Sequence, residues 1–472
     1  MIDEVFLRLT GKQHLTLKRH LFPGDGKEAV AFLLCGRHAG RGRYCLSVAE
    51  VFRIEHQKCV RSEDRVTWPT DDLPVLFERA AAKGLSVLKI HSHPNGLAEF
   101  SDHDDKSDEQ FFASANSWIE DRGPNGSVVM LPDGKMFGRY ATDPGRSHPI
   151  SMISVAGDNL LYLTAEDEED EFVPDFADRH AQVLGKGTFA KLRKLRIAVV
   201  GCSGTGSPVV EQLFRLGVGE LVLVDPDTIG PENLNRIINS RGHHATSGYP
   251  KVKLLADAIE ETGLGTHVVP VQLDLCNPSV VREVASCDLV FGCVDSVFGR
   301  HILNKIASTY CLPYIDVGVG IRADTHGGIS QATGAVHYLQ PDGSSLTSRG
   351  VFSMADVQAD SLARSDPDEY AGQREEGYIR GADVGQPAVI SINSLFASYA
   401  VLEMLQRLHQ IRNEDNAKFS VQRWSLSGCF EQSEVDGSRC PSVSRNLGRG
   451  DMIPLLGLPE LSETTTSEQA NV

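Results

Sequence analysis

Residues 196–206 read Arg-Ile-Ala-Val-Val-Gly-Cys-Ser-Gly-Thr-Gly, and the helix-like segment 207–216 follows them directly. A short apolar run that ends in a glycine-rich turn and continues into a helix is typical of the first strand, turn and helix of a parallel α/β sheet. The glycines permit a tight turn and let the backbone approach phosphates at the amino end of the helix. This stretch therefore predicts an α/β domain with a phosphate site.

The chain from residue 196 onward alternates between strand-like and helix-like segments. Such alternation predicts a doubly wound, mostly parallel sheet. The strand-like segments are 196–200, 220–225, 267–274, 288–295 and 314–319, and the helix-like ones are 207–216, 251–262 and 300–310. The pattern predicts antiparallel strand pairing over residues 327–340, a long helix over residues 387–408 and a closing strand over residues 419–426.

The chain before this region has a different pattern, with short strands and few helices. We expect an α+β domain over residues 1–164, whose strand-like segments are 29–35, 44–55, 86–90 and 126–131. An acidic run with a nearby proline predicts a solvated linker over 165–178. The second domain is then expected over 179–445, and residues 446–472 are expected to form a tail.

Polar residues that suit a nucleotide follow the glycine turn. Asp225 ends the second strand, where an acid can hold a ribose. Asn233, Arg236 and Lys251 offer groups that can converge on a triphosphate, and Asp295 at the end of a later strand suits Mg²⁺. Singly, Asn233 is also explained as a turn residue and Lys251 as a solvated helix start. Together these residues predict an ATP site with magnesium.

A second constellation lies in the first domain. His91-Ser-His93-Pro94 ends an apolar strand-like run, and Ser101-Asp-His-Asp104 follows after six residues. Residues two apart on a strand point to the same face, so both imidazoles can reach one metal ion. Asp104 supplies a third ligand, although Ser101-x-x-Asp104 is also the pattern of a helix-capping box. Two histidines with one carboxylate and an open fourth position predict a catalytic zinc site.

The bulk composition excludes several classes of protein. With 472 residues and a net charge of −17, the chain lacks the excess of Lys and Arg that binding to nucleic acid requires. No stretch has the apolar length of a membrane span, and the first residues lack the order of a signal peptide. The ten cysteines are scattered and contain no Cys-x-x-Cys pair, which favours reduced thiols in a cytoplasmic protein.

The histidine motif resembles the signature of the JAMM metalloprotease family, which has the MPN fold. The resemblance implies zinc held by His91, His93 and Asp104, with Ser101 stabilising the oxyanion of a tetrahedral intermediate. The family also uses a glutamate on an upstream strand as general base toward the zinc-bound water, and Glu28 is the matching position. The expected activity is hydrolysis of a peptide or isopeptide bond.

The glycine turn and the residues after it resemble the ThiF/MoeB/HesA family, whose members activate ubiquitin-like and sulfur-carrier proteins on a Rossmann-like fold. The resemblance implies that Gly201, Gly204 and Gly206 form the phosphate turn and that Asp225 binds the ribose. It assigns Asn233, Arg236 and Lys251 to the phosphates and Asp295 to Mg²⁺. It also implies that Arg179 reaches the nucleotide of a partner subunit, and hence a homodimer through this domain. The expected reaction is attack of the carrier's C-terminal carboxylate on the α-phosphate of ATP.

The sequence departs from that family in its glycine turn and its zinc ligands. Ser203 stands where a glycine is common. Many members hold a structural zinc with two Cys-x-x-Cys pairs, and the matching segments here are Ser345-Leu-Thr-Ser348 and Cys440-Pro-Ser-Val443. One cysteine of four remains, so no second zinc is expected.

The acyl-accepting residue is a third departure, because no cysteine lies between Cys311 and Cys429. Thioester-forming members place their nucleophile in that span. The adenylate can be the end product, a cysteine elsewhere can serve, or a serine can form an oxyester. The candidate serines are Ser344, Ser345, Ser348 and Ser353.

The two resemblances together predict a bifunctional enzyme of a bacterial ubiquitin-like modification system. One domain adenylates a ubiquitin-like carrier with ATP and Mg²⁺, and the other cleaves that carrier's precursor or conjugates. A separate conjugating enzyme is an expected partner, since no segment of this chain resembles one. The alternatives are activation and trimming of a sulfur-carrier protein in cofactor or cysteine biosynthesis, and a non-catalytic scaffold that only binds the carrier.

Overall fold

The fold was obtained as a computed structural model of the 472-residue chain. The structure describes residues 4–119, 123–143, 146–164, 173–323, 328–375 and 387–462. Within these residues the chain forms a nine-stranded sheet, then an eight-stranded sheet, and a separate two-stranded hairpin. We call the part that carries the first sheet the N-terminal domain and the part that carries the second sheet the C-terminal domain.

The N-terminal domain is an α+β unit, as predicted. Its elements are β1 (Val5–Thr10), α1 (Gly11–Leu21), β2 (Val30–Ala39), β3 (Tyr44–Arg53), β4 (Val60–Arg61), β5 (Val66–Thr67), α2 (Leu73–Lys83), β6 (Ser86–Ser92), α3 (Asp102–Trp118), β7 (Asn125–Met130), β8 (Met136–Asp143), β9 (Arg146–Pro149), β10 (Met152–Ala156) and β11 (Leu160–Thr164). The sheet order is β11-β10-β1-β3-β2-β6-β7-β8-β9, and β4 pairs with β5 outside it.

Alternation along the strands gives this sheet two buried faces. Leu33 packs in a cluster that includes Leu17 of α1, whereas its neighbour Phe32 packs in a cluster that includes Phe77 of α2 and Phe111 of α3. Successive side chains of a strand point to opposite faces, so one helix covers one face and two helices cover the other. The helices hold β2 and β6 between two apolar layers.

The C-terminal domain has the predicted doubly wound, mostly parallel architecture. Its elements are α4 (Asp178–Leu184), α5 (Lys186–Lys194), β12 (Arg196–Val200), α6 (Gly206–Arg215), β13 (Glu220–Val224), α7 (Gly242–Ser247), α8 (Lys251–Thr262), β14 (His267–Val271), α9 (Pro278–Ala285), β15 (Leu289–Gly292), α10 (Val297–Thr309), β16 (Tyr314–Ala323), β17 (Ile329–Leu339), α11 (Met354–Ser365), α12 (Pro367–Glu375), α13 (Ile390–Leu408), β18 (Val421–Ser425), β19 (Phe430–Glu434) and α14 (Pro441–Ser444). The sheet order is β14-β13-β12-β15-β16-β17-β18-β19.

Strand direction divides this second sheet into two halves. The strands from β14 to β16 pair in parallel, and the strands from β16 to β19 pair antiparallel. Val199 packs with α6, α8 and α13 on one face, and Val200 packs with α9 and α10 on the other. In sheets covered on both faces, ligands bind beyond the carboxyl ends of the parallel strands. The glycine turn after β12 lies at that edge.

The two domains share a buried apolar core. Phe6 and Tyr162 of the first sheet lie in the same cluster as Ile197 of the second. Arg8, which is 1% exposed, donates from Nη1 to the carbonyl oxygen of Ala285 (2.6 Å) and from Nη2 to that of Cys287 (2.8 Å). Both carbonyls precede β15, so the N-terminal domain packs against the amino ends of the parallel strands.

The structure corrects the expected tail over residues 446–472. Residues 446–462 are packed, with Leu455, Leu456 and Leu461 buried in the C-terminal domain. The N–H of Gly36 donates to the carbonyl oxygen of Gly448 (2.9 Å), so the segment also contacts β2. Its short turns show no helical or strand period, which explains why the sequence pattern missed it. Residues 463–472 lie outside the described residues, as do residues 165–172 of the expected linker.

A Ser-His-Asp hydrogen-bond chain joins this segment to both domains. His38 Nε2 lies 2.9 Å from Ser286 Oγ, and His38 Nδ1 lies 3.0 Å from Asp451 Oδ1. The order of contacts is that of a nucleophilic triad. Ser286 has no exposed surface, however, so no substrate reaches its hydroxyl. These hydrogen bonds are therefore a structural contact between the domains.

All ten cysteines are free thiols, and six of them are buried. Among the described residues, no helix combines the length and the apolar composition that crossing a bilayer requires.

Candidate functional site

The end of β6 places two histidines on one face of the first sheet. His91 and His93 are 2% and 3% exposed, and their Nε2 atoms lie 3.1 Å apart. The chain turns away directly after them at Pro94, as predicted. Both imidazoles therefore direct a nitrogen toward one point beyond the strand.

The start of α3 brings a carboxylate to the same point. Asp104 Oδ1 lies 2.9 Å from His91 Nε2, and Asp104 Oδ2 lies 3.4 Å from His93 Nε2. Ser101 is the N-cap of α3, and it forms a capping box with Asp104. The Ser101 hydroxyl donates to Asp104 Oδ2 (2.6 Å). Both interpretations of this motif thus hold together, because the capping box orients the carboxylate toward the histidines.

The protonation pattern of the cluster suits a metal ion. Nδ1–H of His93 donates to the carbonyl oxygen of Leu97 (2.8 Å), so in the neutral imidazole the lone pair is on Nε2. Burial raises the pKa of Asp104, but hydrogen bonds from His91 and His93 in their protonated forms hold that pKa well below its usual range. The three side chains are buried and offer ligand atoms within 4.8 Å of one another. Two imidazoles and one carboxylate are a zinc donor set, so the residues fit the ion.

Glu28 lies beside this cluster because of the strand register. Val30, the first residue of β2, pairs with His91 in the antiparallel ladder of β2 and β6, and Glu28 precedes Val30 by two residues, where it interacts electrostatically with His93. Its side chain is 5% exposed. Burial raises the pKa of Glu28 to about 7, against the opposing effect of His93. A carboxyl group with that pKa can accept and release a proton near neutral pH.

A further buried carboxylate lies near the cluster. Asp108 is 2% exposed and lies 2.5 Å from Lys89 Nζ and 2.6 Å from Arg139 Nη2. It follows Asp104 by four residues and so shares its face of α3, a signal that the sequence contains. Arg139 also stacks on Phe100, with 3.8 Å between Cζ and the ring centroid. The ion-pair group fixes α3 to β6 and β8 next to the histidines.

The phosphate turn at the carboxyl end of β12 requires its glycines. Gly201 has a φ of +91°, and a Cβ there would lie 2.6 Å from the carbonyl oxygen of Cys293. A Cβ at Gly206 would lie 1.7 Å from the carbonyl oxygen of Gly201. Gly204 faces Arg236, whose Cδ would be 2.9 Å from an added Cβ. Two positions are therefore set by backbone packing, and the third places Arg236 against the turn.

Asp225 and Lys251 meet next to this turn. Asp225 is 5% exposed and accepts from the N–H of Cys202 (2.7 Å) and of Asp227 (2.9 Å). Lys251 Nζ lies 3.6 Å from Asp225 Oδ1 and 2.7 Å from Asp227 Oδ2. Burial raises the pKa of Asp225, while Lys251 opposes the rise. Asp227, which was not singled out from the sequence, thus forms an ion pair with Lys251.

The loop between β13 and α7 carries the remaining predicted phosphate ligands. Asn233 is buried, and its Oδ1 accepts from the N–H of Gly230 (3.0 Å), so it shapes the turn. Arg236 donates from Nη1 to the carbonyl oxygen of Glu232 (2.5 Å). Asn233 thus has the structural role that was considered for it, and the loop it forms holds Arg236 beside the phosphate turn.

Asp295 and Arg179 lie on the surface. Asp295 is exposed directly after β15, at the same edge as the phosphate turn. Behind it, Arg300 pairs with the buried Asp316 (3.3 Å). Arg179 is exposed on α4. The structure therefore brings Asp295 to the edge that carries the phosphate turn and places Arg179 on the exposed side of α4.

The serines proposed as acyl acceptors lie at the opposite edge of the sheet. Leu339, the last residue of β17, pairs with Tyr314, the first residue of β16. Residues that follow β17, including Ser348, therefore lie at the amino ends of the parallel strands, away from the phosphate turn. Ser344, Ser345 and Ser348 therefore lie away from the phosphate turn of the same chain, and an oxyester at these serines stays a prediction. Ser353 caps α11, and residues 324–327 and 376–386 of the span lie outside the described residues.

The positions that match the family's structural zinc form a hydrogen-bonded group. Ser345 Oγ lies 3.1 Å from Cys440 Sγ, and the N–H of Ser345 donates to Ser348 Oγ (2.8 Å). Val443 is buried and apolar. The matching segments do meet, but two hydroxyls, one thiol and a valine do not suit zinc.

Comparison with known families agrees with this architecture. The ThiF family matches residues 177–441, and the prokaryotic homologs of the JAB domain match residues 13–135. The molybdopterin-synthase adenylyltransferase of Salmonella typhimurium is 34% identical over 133 residues, which is 28% of this chain and 52% of that protein. The SAMP-activating enzyme E1 of Haloferax volcanii is 30% identical over 153 residues, 32% of this chain and 52% of that protein.

Among solved structures, the crystal structure of E. coli MccB with ATP aligns with a TM-score of 0.43 at 17% identity, over 57% of this chain and 74% of that chain. The chain spans about half the length of the curated relatives named above. The ThiF match covers the whole second sheet and the JAB-type match covers the N-terminal domain from α1 to β7, and both confirm the resemblances seen in the sequence. The chain belongs to the ThiF family and carries a domain of the prokaryotic JAB type ahead of its ThiF domain.

Proposed function

We propose that this chain adenylates the C-terminus of a ubiquitin-like carrier protein and also hydrolyses peptide or isopeptide bonds at that C-terminus. The observation that carries the proposal is the presence of both sites on one chain. One is a buried His-His-Asp cluster with a carboxyl group beside it. The other is a glycine turn flanked by Asp225, Arg236 and Lys251.

For hydrolysis, His91, His93 and Asp104 would hold a zinc ion. When bound, zinc acts as a Lewis acid that polarises water and the scissile carbonyl group. Glu28 accepts a proton from the attacking water and gives it to the leaving amine, which its raised pKa permits. Ser101 is placed next to Asp104 and can turn its hydroxyl toward the developing oxyanion.

For adenylation, Asp225 binds the ribose hydroxyls and the glycine turn receives the phosphates. Arg236 and Lys251 neutralise the triphosphate, and Asp295 would hold Mg²⁺. An oxygen of the carrier's carboxylate attacks the α-phosphorus, the bond from that phosphorus to the bridging oxygen breaks, and pyrophosphate leaves with the negative charge. Lys251 is released from Asp227 when it binds phosphate.

The proposal includes the partners expected from the sequence. The carrier is a ubiquitin-like protein, and a separate conjugating enzyme receives the activated carboxylate. Two copies of the chain associate through the C-terminal domain, with Arg179 of each reaching the other's nucleotide. The exposure of Arg179 on α4 supports this arrangement.

The test is intact mass spectrometry of a candidate ubiquitin-like protein, in precursor and mature forms, incubated with the chain, Mg-ATP and zinc. A gain of one adenylyl group, together with release of a C-terminal extension from the precursor form, is the expected result. If the precursor keeps its C-terminal extension while the mature carrier is adenylated, the peptidase half of the proposal is wrong. A carrier that is trimmed yet never adenylated removes the other half.

A further inference from the structure

The residues just before β2 hold Glu28 without belonging to the sheet ladder. The N–H of Glu28 donates to the carbonyl oxygen of Ser62 (2.8 Å). The N–H of Ala29 donates to Ser92 Oγ (2.9 Å), and the N–H of Ser92 donates to the carbonyl oxygen of Ala29 (3.1 Å). Regular pairing begins only at Val30. The position of Glu28 therefore depends on a few irregular hydrogen bonds.

One side chain supplies several of these bonds. Arg61 in β4 donates from Nε to the carbonyl oxygen of Glu28 (2.6 Å) and from Nη2 to that of Lys27 (3.0 Å). Its Nη1 lies 2.9 Å from Asp25 Oδ2. The Arg61 side chain is 7% exposed, and its contact to the carbonyl oxygen of Glu28 is partly buried. The guanidinium thus contacts three residues of the short segment that ends in Glu28.

We propose that Arg61 is the positioning residue of the peptidase site, which fixes the backbone of Glu28 so that its carboxylate faces the His-His-Asp cluster. This inference rests on the proposed peptidase function. A general base must be within hydrogen-bond reach of the proton it takes, and a displacement of about 1 Å can lower a rate by about 10²-fold. Arg61 contacts Glu28 through its backbone carbonyl group, and its other contacts are to Lys27 and Asp25. Arg61 therefore acts on the reaction through Glu28.

The hairpin that carries Arg61 is anchored independently of the guanidinium. Ser62 keeps its bond to the N–H of Glu28, and Val66 of β5 is 5% exposed in the apolar cluster beneath the sheet. Removing the guanidinium therefore leaves the hairpin in place, while the backbone carbonyl oxygen of Glu28 loses its hydrogen bond from Arg61. The expected consequence is a less ordered general base in a folded, zinc-binding domain.

The experiment compares Arg61→Ala with Arg65→Ala in the full chain loaded with zinc. Arg65 is an exposed arginine of the same hairpin, and its contact to Ser62 is made by its backbone. The probe is the same candidate ubiquitin-like protein with a fluorogenic amide at its C-terminus. We expect kcat of Arg61→Ala to fall at least tenfold with KM within twofold, and millimolar ethylguanidinium to restore part of it.

A readout independent of turnover accompanies these rates. Amide hydrogen exchange at residues 28–30 is expected to accelerate at least tenfold in Arg61→Ala, with zinc content and melting temperature equal to those of Arg65→Ala. A kcat within twofold of the wild type overturns the inference, and so does a variant that loses zinc or unfolds, because the role is then structural. A wild-type chain that does not cleave the probe overturns the proposed function itself.

Discussion

Glu28 lies close enough to His93 for the two side chains to interact electrostatically, two residues before Val30, where β2 begins to pair with β6 opposite His91. The end of one antiparallel ladder thus brings the general base near a metal ligand. The candidate zinc ligands are His91, His93 and Asp104. The carboxyl group of Glu28 can therefore be changed without removing a zinc ligand.

We expect Glu28→Gln to lower the peptidase kcat by about 10²-fold or more while zinc content stays unchanged, because the amide cannot accept the proton. Zinc analysis and cleavage of the carrier's extension measure the two quantities. Glu63→Gln, an exposed position in the β4–β5 hairpin, serves as the control and should leave both unchanged. Loss of zinc in Glu28→Gln would instead make Glu28 a ligand.

Zinc content is the subject of the second prediction. The chain should bind one zinc ion, since the Ser345, Ser348, Cys440 and Val443 group offers one thiol only. His91→Ala/Asp104→Ala should bind none. Chelation should stop cleavage and leave ATP–pyrophosphate exchange and the folding of the C-terminal domain intact. Two zinc ions per chain by elemental analysis would contradict the assignment.

The nucleotide site gives a third prediction. Lys251→Ala should lower carrier-dependent ATP–pyrophosphate exchange by at least 10²-fold, because the lysine that neutralises the triphosphate is lost. Peptidase activity should stay within twofold of the wild type. Lys253→Ala is the matched control, since Lys253 lies on the same helix with its side chain 57% exposed. An equal loss of ATP–pyrophosphate exchange in both variants would mean that the phosphates do not bind at Lys251.

Local geometry explains which site residues the sequence could predict. Because His91 and His93 are two apart on a strand, their side chains point to the same face. Ser101-x-x-Asp104 at a helix start forms a capping box, which orients the Asp104 carboxylate. The glycine turn likewise follows from crowding at Gly201 and Gly206. Each of these features is settled within a few residues along the chain.

Features that depend on distant contacts could not be predicted. Asp108 is buried because Lys89 and Arg139 come to it from two separate strands. Antiparallel pairing over residues 327–340 was predicted, but not its register with β16, which carries Ser348 to the edge away from the phosphate turn. The packing of residues 446–462 depends on a contact with β2, more than 400 residues earlier.

Stability should fall with acidification through a buried histidine. Burial, and then Lys305, lower the pKa of His301 to about 4 from its ordinary value of 6.5. Between those pH values the unfolded chain binds a proton that the folded chain does not, so stability present above pH 6.5 is lost as pH falls toward 4. The loss is at most about 1.4 kcal/mol per pH unit.

His301→Asn should therefore show a smaller drop in melting temperature between pH 7 and pH 5 than the wild type. The exposed His267, whose side chain is 69% exposed, provides the control, and His267→Asn should keep the wild-type pH dependence. An unchanged slope in His301→Asn would refute the assignment.

The two sites lie on opposite sides of the contact between domains. The N-terminal domain meets the C-terminal one near Gly36 of β2, whereas His91 pairs with Val30 at the other end of that strand. The phosphate turn lies at the carboxyl end of β12, and the contact with Arg8 is at the amino end of the neighbouring β15. At about 3.3 Å per residue, each site is roughly 13 Å or more from the contact.

A carrier trimmed at one site must therefore leave before the same chain can adenylate it. We expect a mixture of His91→Ala/Asp104→Ala and Lys251→Ala chains, each at the concentration of the intact chain it replaces, to convert the precursor carrier to adenylate at the wild-type rate within twofold. Pyrophosphate release after addition of precursor measures that rate, and mature carrier with the His91→Ala/Asp104→Ala chain alone gives the control rate of activation. A clearly slower mixture, with normal activities of each variant on its own substrate, would mean that the carrier passes directly between the sites.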